Sequence, residues 1–213
     1  MDWRLTPGLL LRAYATGLFP MAESAGDPEL HWVDPSRRGI MPIGGFHISR
    51  SLRRRILSGQ FEVTFDTAFP QVVALCADRP ETWINNTITE LYNALFERGY
   101  GHSQEVWENG KLVGGVYGVA LGAAFFGESM FSKSTDASKV ALAYLMDRLH
   151  QTGFELFDTQ FITPHLRSLG GIEIDRQDYL ARLEEAVRKP ADIAAYPGPV
   201  RAQDVIQRSG QTS

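Results

Sequence analysis

The sequence predicts an α+β fold in which a mixed β-sheet is flanked by helices. Apolar residues alternate with the period of strands and then of helices in the order β-β-β-α-β-α, which is typical of a sheet covered by helices. The dipeptide Asn109-Gly110 separates two strand-like segments and predicts a hairpin turn between them. With 213 residues and 44% hydrophobic content, the chain can also bury a substantial core.

Residues 1–60 are predicted to form a small N-terminal domain. Thr6 and Pro7 are typical of a helix start, and Gly17 is typical of its end. Residues 18–46 are rich in proline and glycine, which favours loops. A short helix from about 49 to 57 follows, and it carries a cluster of basic residues: Arg50, Arg53, Arg54 and Arg55.

Residues 61–188 are predicted to form one larger domain. An alternating strand at 61–65 is followed by a helix that Gly99 ends, and then by the hairpin strands at 104–108 and 111–122. A helix then runs from about 135 to Gly153, a strand covers 154–160, and a last helix runs from about 175 to 188. Residues 189–213 are expected to form a loose C-terminal tail.

Polar residues at the end of the strand 154–160 are the first sign of a functional site. Side chains alternate along a strand, so Asp158 and Gln160 are expected on one face and Phe157 on the other. Burying a carboxylate and an amide is costly unless both are hydrogen-bonded. The pair therefore indicates either an internal polar network or a site for a polar ligand.

Charge and cysteine content limit the classes of function. The formal net charge of −4 disfavours indiscriminate binding to phosphate backbones, whereas the arginine cluster favours selective anion binding. The single cysteine, Cys76, permits neither an internal disulfide nor a CxxC metal or redox site. The sequence has no signal-type segment and no apolar stretch of membrane-spanning length, so a cytoplasmic protein without membrane contact is expected.

The order of elements invites comparison with the acyl-coenzyme A-dependent N-acyltransferases, the GNAT-like fold. That family cradles the cofactor pyrophosphate in a glycine-rich loop at a helix N-terminus. The corresponding residues here, 132–139, contain no glycine and include Asp136. The sequence therefore favours an N-acyltransferase-like fold and disfavours coenzyme A as a cofactor.

Nine short blocks follow one another between about residues 10 and 183. They read GLFPM (17–21), DPSRRG (34–39), FHISRSL (46–52), TWI (82–84), HSQEVW (102–107), LVGGVYG (112–118), GESMFS (127–132), ASK (137–139) and DTQ (158–160). In this order they closely resemble the leucyl/phenylalanyl-tRNA–protein transferase family. The resemblance implies an N-acyltransferase-like catalytic domain and a small N-terminal domain that is shortened relative to the family.

The resemblance also implies an activity and its partners. The activity is transfer of Leu, Phe or Met from aminoacyl-tRNA to proteins that begin with Arg or Lys, which marks those proteins for degradation. The implied partners are Leu-, Phe- and Met-tRNA and the acceptor proteins. No cofactor, metal or DNA is expected.

By the same resemblance, the residues of the reaction centre can be named. Asp158 and Gln160 are the catalytic pair, in which Asp158 orients the Gln160 amide or draws a proton through it. Glu128 is the residue expected to bind the cationic acceptor terminus. An adaptable apolar pocket for the donor side chain is expected from Val116, Phe125 and Met130.

Contacts with the tRNA are implied in two places. Stacking on the terminal adenosine is expected from Met21, Trp32 and Trp83. Salt-sensitive contacts with acceptor-stem phosphates are expected from the arginines at 50, 53, 54 and 55.

Several alternatives stay open at this point. Asp158 is either catalytic or only a binding residue for the acceptor, and acceptors with acidic N-termini are a second possible substrate class. A small-molecule N-acyltransferase would need coenzyme A. A non-catalytic tRNA-binding module would explain the arginines and Trp83, but it gives no reason for Asp158, Gln160 and Glu128.

Overall fold

The computed structural model describes residues 5–24, 26–27, 29–196 and 200–209. Within this part of the chain, the strands are β1 (Phe19–Met21), β2 (His31–Val33), β3 (Arg37–Ile40), β4 (Glu62–Phe65), β5 (Gly101–Glu108), β6 (Lys111–Leu121), β7 (Ala124–Ser132), β8 (Leu156–Gln160) and β9 (Ile172–Asp175). The helices are α1 (Pro7–Ala15), α2 (Arg50–Leu57), α3 (Phe69–Ala77), α4 (Asn86–Glu97), α5 (Ala137–Gln151), α6 (Pro164–Ser168), α7 (Arg176–Arg188) and α8 (Ala202–Ser209), with a 3-10 turn at Ile193–Ala195. No helix of the described ranges is long and apolar enough to cross a membrane.

One seven-stranded sheet organises the protein, in the order β4-β5-β6-β7-β8-β3-β9. Neighbouring strands pair antiparallel except β7 and β8, which are parallel. A parallel pair needs a crossover connection, and α5 supplies it. The predicted α+β fold, a mixed sheet flanked by helices in an N-acyltransferase-like order, is confirmed.

Two apolar clusters cover the two faces of this sheet. On one face, α1, α3, α4 and α7 bury side chains such as Leu10 and Leu183. On the other face, α2, α5 and α8 bury side chains such as Leu145 and Ile206. Strand residues alternate between the clusters, because Phe125 packs in the second and Phe126 in the first.

The N-terminal region contributes more to the sheet than its loop-rich sequence predicts. Strand β3 lies inside the predicted N-terminal domain, yet it fills the place between β8 and β9, with Ile40 opposite Asp158. Gly39 permits this close approach, because a Cβ atom there would lie 2.6 Å from the carbonyl carbon of Phe161. Strand β9 was not expected from the sequence. The domain boundary at residue 60 stays a prediction.

The C-terminal segment is packed, which corrects the expected loose tail for the described residues up to 209. Helix α8 lies against α2 and α5, and Ile206 is buried between them. Asp147 of α5 holds the segment, since its carboxylate accepts two hydrogen bonds from Arg208, each 2.7 Å long, and one from the Tyr196 hydroxyl. Residues 197–199 and 210–213 lie outside the described part of the chain.

Candidate active site

A cleft opens where the parallel strands β7 and β8 stop pairing. The last paired residues are Phe126 and Asp158, and beyond them residues 127–130 and 159–160 form opposite walls. The cleft holds a cavity of about 320 Å³, here called the outer cavity. It also holds one of about 100 Å³, here called the inner cavity. Both cavities are lined by Glu128, Ser129, Met130, Thr159, Gln160 and Leu166, so they adjoin one another.

Asp158 lies behind the cleft, and its carboxylate is saturated with hydrogen bonds. Arg38 donates from Nε to Oδ1 (2.9 Å) and from Nη2 to Oδ2 (2.6 Å). The Tyr179 hydroxyl donates to Oδ2 (2.7 Å), and the backbone N–H of Gln160 donates to Oδ1 (2.8 Å). Asp158 is 0% exposed, and four donors occupy the acceptor sites of one carboxylate, so it has none left for a substrate.

Arg38 of β3 is the buried partner that sequence analysis missed. Its Nη1 donates to the carbonyl oxygen of Gly17 (2.8 Å), and its guanidinium lies over the rings of Phe19 and Tyr179. Burial lowers the pKa of Arg38, but the ion pair with Asp158 outweighs burial, so this pKa lies above its ordinary value. The only sequence signal was its place in the block at 34–39, because the pairing of β3 with β8 is what brings it to Asp158.

At Gln160, the last residue of β8, the backbone changes direction and the side chain enters the cleft. Its φ of +57° is in the left-handed region, which residues other than glycine rarely adopt. The turn lets the Gln160 side chain line both cavities while Asp158 lines neither, so the predicted alternation ends at this residue. The two side chains therefore do not share one face as predicted, and the contact between the two residues is the bond from the Gln160 backbone N–H to Asp158.

The Gln160 amide has two possible orientations, and the hydrogen bonds distinguish them. In one, Nε2 donates to the carbonyl oxygens of Gly127 (2.9 Å) and Thr159 (3.0 Å). In the other, Nε2 makes a single long contact of 3.4 Å with Oε1 of Glu128. The first is favoured because it forms two bonds of ordinary length, and it turns the amide oxygen toward Glu128.

Glu128 reaches the cleft from a β-bulge in β7. Gly127 pairs with Gly118 and Ser129 pairs with Tyr117, which leaves Glu128 without a partner on β6. Its Oε1 accepts from the Tyr14 hydroxyl (2.6 Å) and its Oε2 from the Tyr92 hydroxyl (2.6 Å). Burial raises the pKa of Glu128 to about 7, although the two tyrosine hydrogen bonds oppose this shift.

The predicted donor-pocket residues divide between the inner cavity and the core. Val116 and Met130, which are partners across β6 and β7, both line the inner cavity. Phe125 does not, which corrects its predicted place: it is 0% exposed and packs edge-on behind Phe157, at 5.5 Å between ring centroids. Phe157 lines the inner cavity instead, together with Leu142 of α5.

The predicted adenosine residues divide in a similar way. Met21 and Trp83 line the outer cavity. Trp32, which is 41% exposed on β2, lines neither cavity. The outer cavity is also lined by Phe161, whose 46% exposure is large for an aromatic side chain, and by Arg79, which donates to the Ser129 hydroxyl (3.1 Å).

The basic cluster lies on α2, outside the cleft. Ser49 caps this helix, and its apolar side faces α5 and α8. Arg50, Arg53 and Arg54 are exposed, whereas Arg55 is partly covered and bonds to Gln60. Across the described residues, no group of three or more His, Cys, Asp or Glu side chains is arranged to hold a metal ion.

Comparisons with known proteins cover nearly the whole chain. The family model described as leucyl/phenylalanyl-tRNA protein transferase matches residues 40–184, and the model for the N-terminal domain of the same family matches residues 4–36. A leucyl/phenylalanyl-tRNA–protein transferase of Cereibacter sphaeroides is 62% identical over 209 residues, which are 98% of each chain. A protein of the same name from Roseobacter denitrificans is 59% identical over 99% of this chain and 100% of its own. Among solved structures, FemX aligns with a TM-score of 0.49 and 11% identity over 82% of this chain and 70% of its own.

Proposed function

The chain belongs to the leucyl/phenylalanyl-tRNA–protein transferase family, and on this premise we propose that it moves Leu, Phe or Met from aminoacyl-tRNA to the α-amine of proteins beginning with Arg or Lys. This transfer marks the acceptor for degradation, and it takes place in the cytoplasm without a DNA partner. One observation supports the proposal beyond the family name: a small inner cavity, lined by Val116, Leu142 and Phe157, and a larger outer cavity, lined by Met21 and Trp83, meet at Glu128 and Gln160. An ester that joins an apolar amino acid to a nucleoside needs such a pair of adjoining spaces.

The inner cavity is the proposed pocket for the donor side chain. Its walls are mostly apolar, and they include Val116, Met130, Leu142 and Phe157. Methionine is flexible and polarizable, so Met130 can adapt to Leu, Phe or Met. The ester carbonyl would then lie at the junction of the cavities, beside Gln160.

The outer cavity is the proposed site of the terminal adenosine and the acceptor. Trp83 offers a face for base stacking, and Met21 offers an apolar surface beside it. The exposed arginines of α2 are the proposed contacts with acceptor-stem phosphates, which give affinity without sequence readout.

Asp158 and Gln160 are proposed to act as one unit, with different parts. An aminoacyl ester is already activated, so catalysis needs a correctly aimed and deprotonated amine. Asp158 is buried and saturated, so in this proposal it is a positioning residue that holds Gln160 by its N–H. The Gln160 amide oxygen orients the amine, and Glu128 holds the cationic acceptor terminus.

The test is transfer of radiolabelled leucine from Leu-tRNA to peptides that begin with Arg, Lys, Asp, Glu or Ala, with ATP and coenzyme A omitted. Label on the Arg and Lys peptides alone is the expected result. Label on the acidic peptides would keep the reaction but overturn the proposed acceptor class. Binding of tRNA without label on any peptide would overturn the proposed activity in favour of an RNA-binding module.

A further inference from the structure

Glu128, Tyr14 and Tyr92 form a triangle of short contacts. Tyr14 to Oε1, Tyr92 to Oε2 and the Tyr14 hydroxyl to the Tyr92 hydroxyl are each 2.6 Å. Oxygen atoms this close need a hydrogen between them. When Glu128 is ionised, two hydroxyls supply two hydrogens for three contacts. A proton on Glu128 supplies the third, so the triangle is complete only with the carboxyl group protonated.

The surroundings of Glu128 favour a carboxyl group that gains and loses its proton near neutral pH. In the favoured orientation of Gln160, its amide oxygen lies 3.4 Å from Oε1 of Glu128, which suits a neutral carboxyl group. Burial raises the pKa of Glu128 to about 7. The titratable and charged groups that act on its pKa are Tyr14 of α1, Tyr92 of α4, Arg38 of β3 and Asp158 of β8. Tyr117 of β6 also lies close by, and the charge of Glu128 raises the pKa of Tyr117.

The proposed reaction needs a group that takes a proton, and only one side chain at the cleft qualifies. The acceptor α-amine has a reference pKa of about 8, so most of it is protonated at neutral pH. Asp158 is buried and saturated, and the Gln160 amide is not a base. Among the described residues that line the two cavities, Glu128 is the only carboxylate.

We infer that Glu128 is the general base of the transfer, and that Tyr14 and Tyr92 are positioning residues that share the proton it takes. The inference rests on the proposed function, and it extends the role of Glu128 from holding the acceptor terminus to removing its proton. A carboxylate that does both lies within hydrogen-bond reach of the amine from the moment of binding.

The ammonium gives one proton to Glu128, and its freed electron pair forms a bond to the ester carbonyl carbon. The bond from that carbon to the ribose oxygen breaks, and the leaving oxygen takes a second hydrogen from the nitrogen. The third hydrogen stays on the new amide, and the proton on Glu128 returns to solvent.

The test is the pH dependence of single-turnover transfer by Glu128→Gln at saturating acceptor peptide, from pH 6.5 to 9. We expect a deficit of about 10²-fold at pH 6.5, because general bases typically contribute this much or more. The deficit should shrink to less than about tenfold at pH 9, since the amine is then mostly free without help. A deficit that is equal at every pH would overturn the inference and leave Glu128 as a binding residue. Failure of the unsubstituted protein to transfer at any pH would instead refute the proposed function.

Two hydroxyl deletions make the test independent of Glu128 itself. Tyr92→Phe removes a donor to the carboxylate, so the acidic limb of the pH profile should move to higher pH. Tyr117→Phe is the matched control, because the Tyr117 hydroxyl is buried and has no hydrogen-bond partner within the described residues. Thermal denaturation shows whether each variant is folded. An acidic limb that stays in place in folded Tyr92→Phe would overturn the assignment of the tyrosines.

Discussion

Replacing Arg38 with methionine should strongly destabilise the protein, because it leaves the buried carboxylate of Asp158 without its positively charged partner. Asp158 is 0% exposed, and without Arg38 it keeps only Tyr179 and the N–H of Gln160 as donors. Removing one partner of a buried ion pair typically costs about 3 to 5 kcal/mol. The lost bond from Arg38 to Gly17 adds about 1 kcal/mol. We expect Arg38→Met to lower the free energy of unfolding by about 4 kcal/mol or more.

A double variant separates the charge of the pair from its position. Arg38→Met with Asp158→Asn removes both charges, yet it keeps an acceptor oxygen for the N–H of Gln160. Contacting residues commonly couple by about 0.5 to 3 kcal/mol, so the double variant should be about 2 kcal/mol more stable than Arg38→Met alone. Its turnover should stay within about tenfold of the unsubstituted protein, since a fully enclosed carboxylate does not touch the substrate.

Urea unfolding at pH 7, followed by tryptophan fluorescence, measures both free energies if the slope m is unchanged. Transfer assays are run where each variant is folded. The reasoning is wrong if Arg38→Met loses less than about 1 kcal/mol, or if the double variant is no more stable than the single one. A folded but inactive double variant would show that the negative charge of Asp158 itself takes part in the reaction.

The backbone at Gln160, the wall of the inner cavity and the proton on Glu128 can each be tested by a single substitution. Gln160→Gly should unfold at the same or a higher urea concentration, because glycine accepts the left-handed backbone, while turnover falls about 10²-fold through loss of positioning. Met130→Ala widens the inner cavity, so the ratio of kcat/KM for Phe-tRNA to that for Leu-tRNA should rise about tenfold, and an unchanged ratio would remove Met130 from the donor pocket. Unfolding measured against pH should show that the protein loses stability as the pH rises from 4.5 to about 7, because the folded state holds the Glu128 proton that the unfolded state releases. Glu128→Gln should flatten this loss, which is about 2 kcal/mol after discounting for the partial exposure of Glu128.

Much of the fold could be read from local patterns. The hairpin at Asn109-Gly110 joins β5 and β6, and the change of period after residue 132 marks α5. Local patterns failed where the chain departs from regular geometry. The sequence favours a loop where β3 forms, because a four-residue strand among prolines and glycines has too few residues to show alternation. The packed end of the chain was missed for a related reason, since Asp147 and Arg208 are far apart in sequence.

The candidate site shows the same limit at the level of single residues. The neighbouring pair Asp158 and Gln160 was visible, because two polar residues stood where a core strand should be apolar. Phe125 and Phe157 were not separable, since both are apolar strand residues and only the three-dimensional packing puts one at the cavity and the other behind it.

Blocks of residues and hydrophobic periods are local properties, so they were enough to predict the family, the mixed sheet and the polar residues of β7 and β8. How those residues work together depends on contacts that form only in the folded chain. Arg38, Tyr14, Tyr92 and Tyr179 come from four elements and converge on two carboxylates. Periodicity states which face of an element is buried, but not which element will cover it. The bulge at 128 and the left-handed turn at 160 also break the alternation from which side-chain directions are predicted.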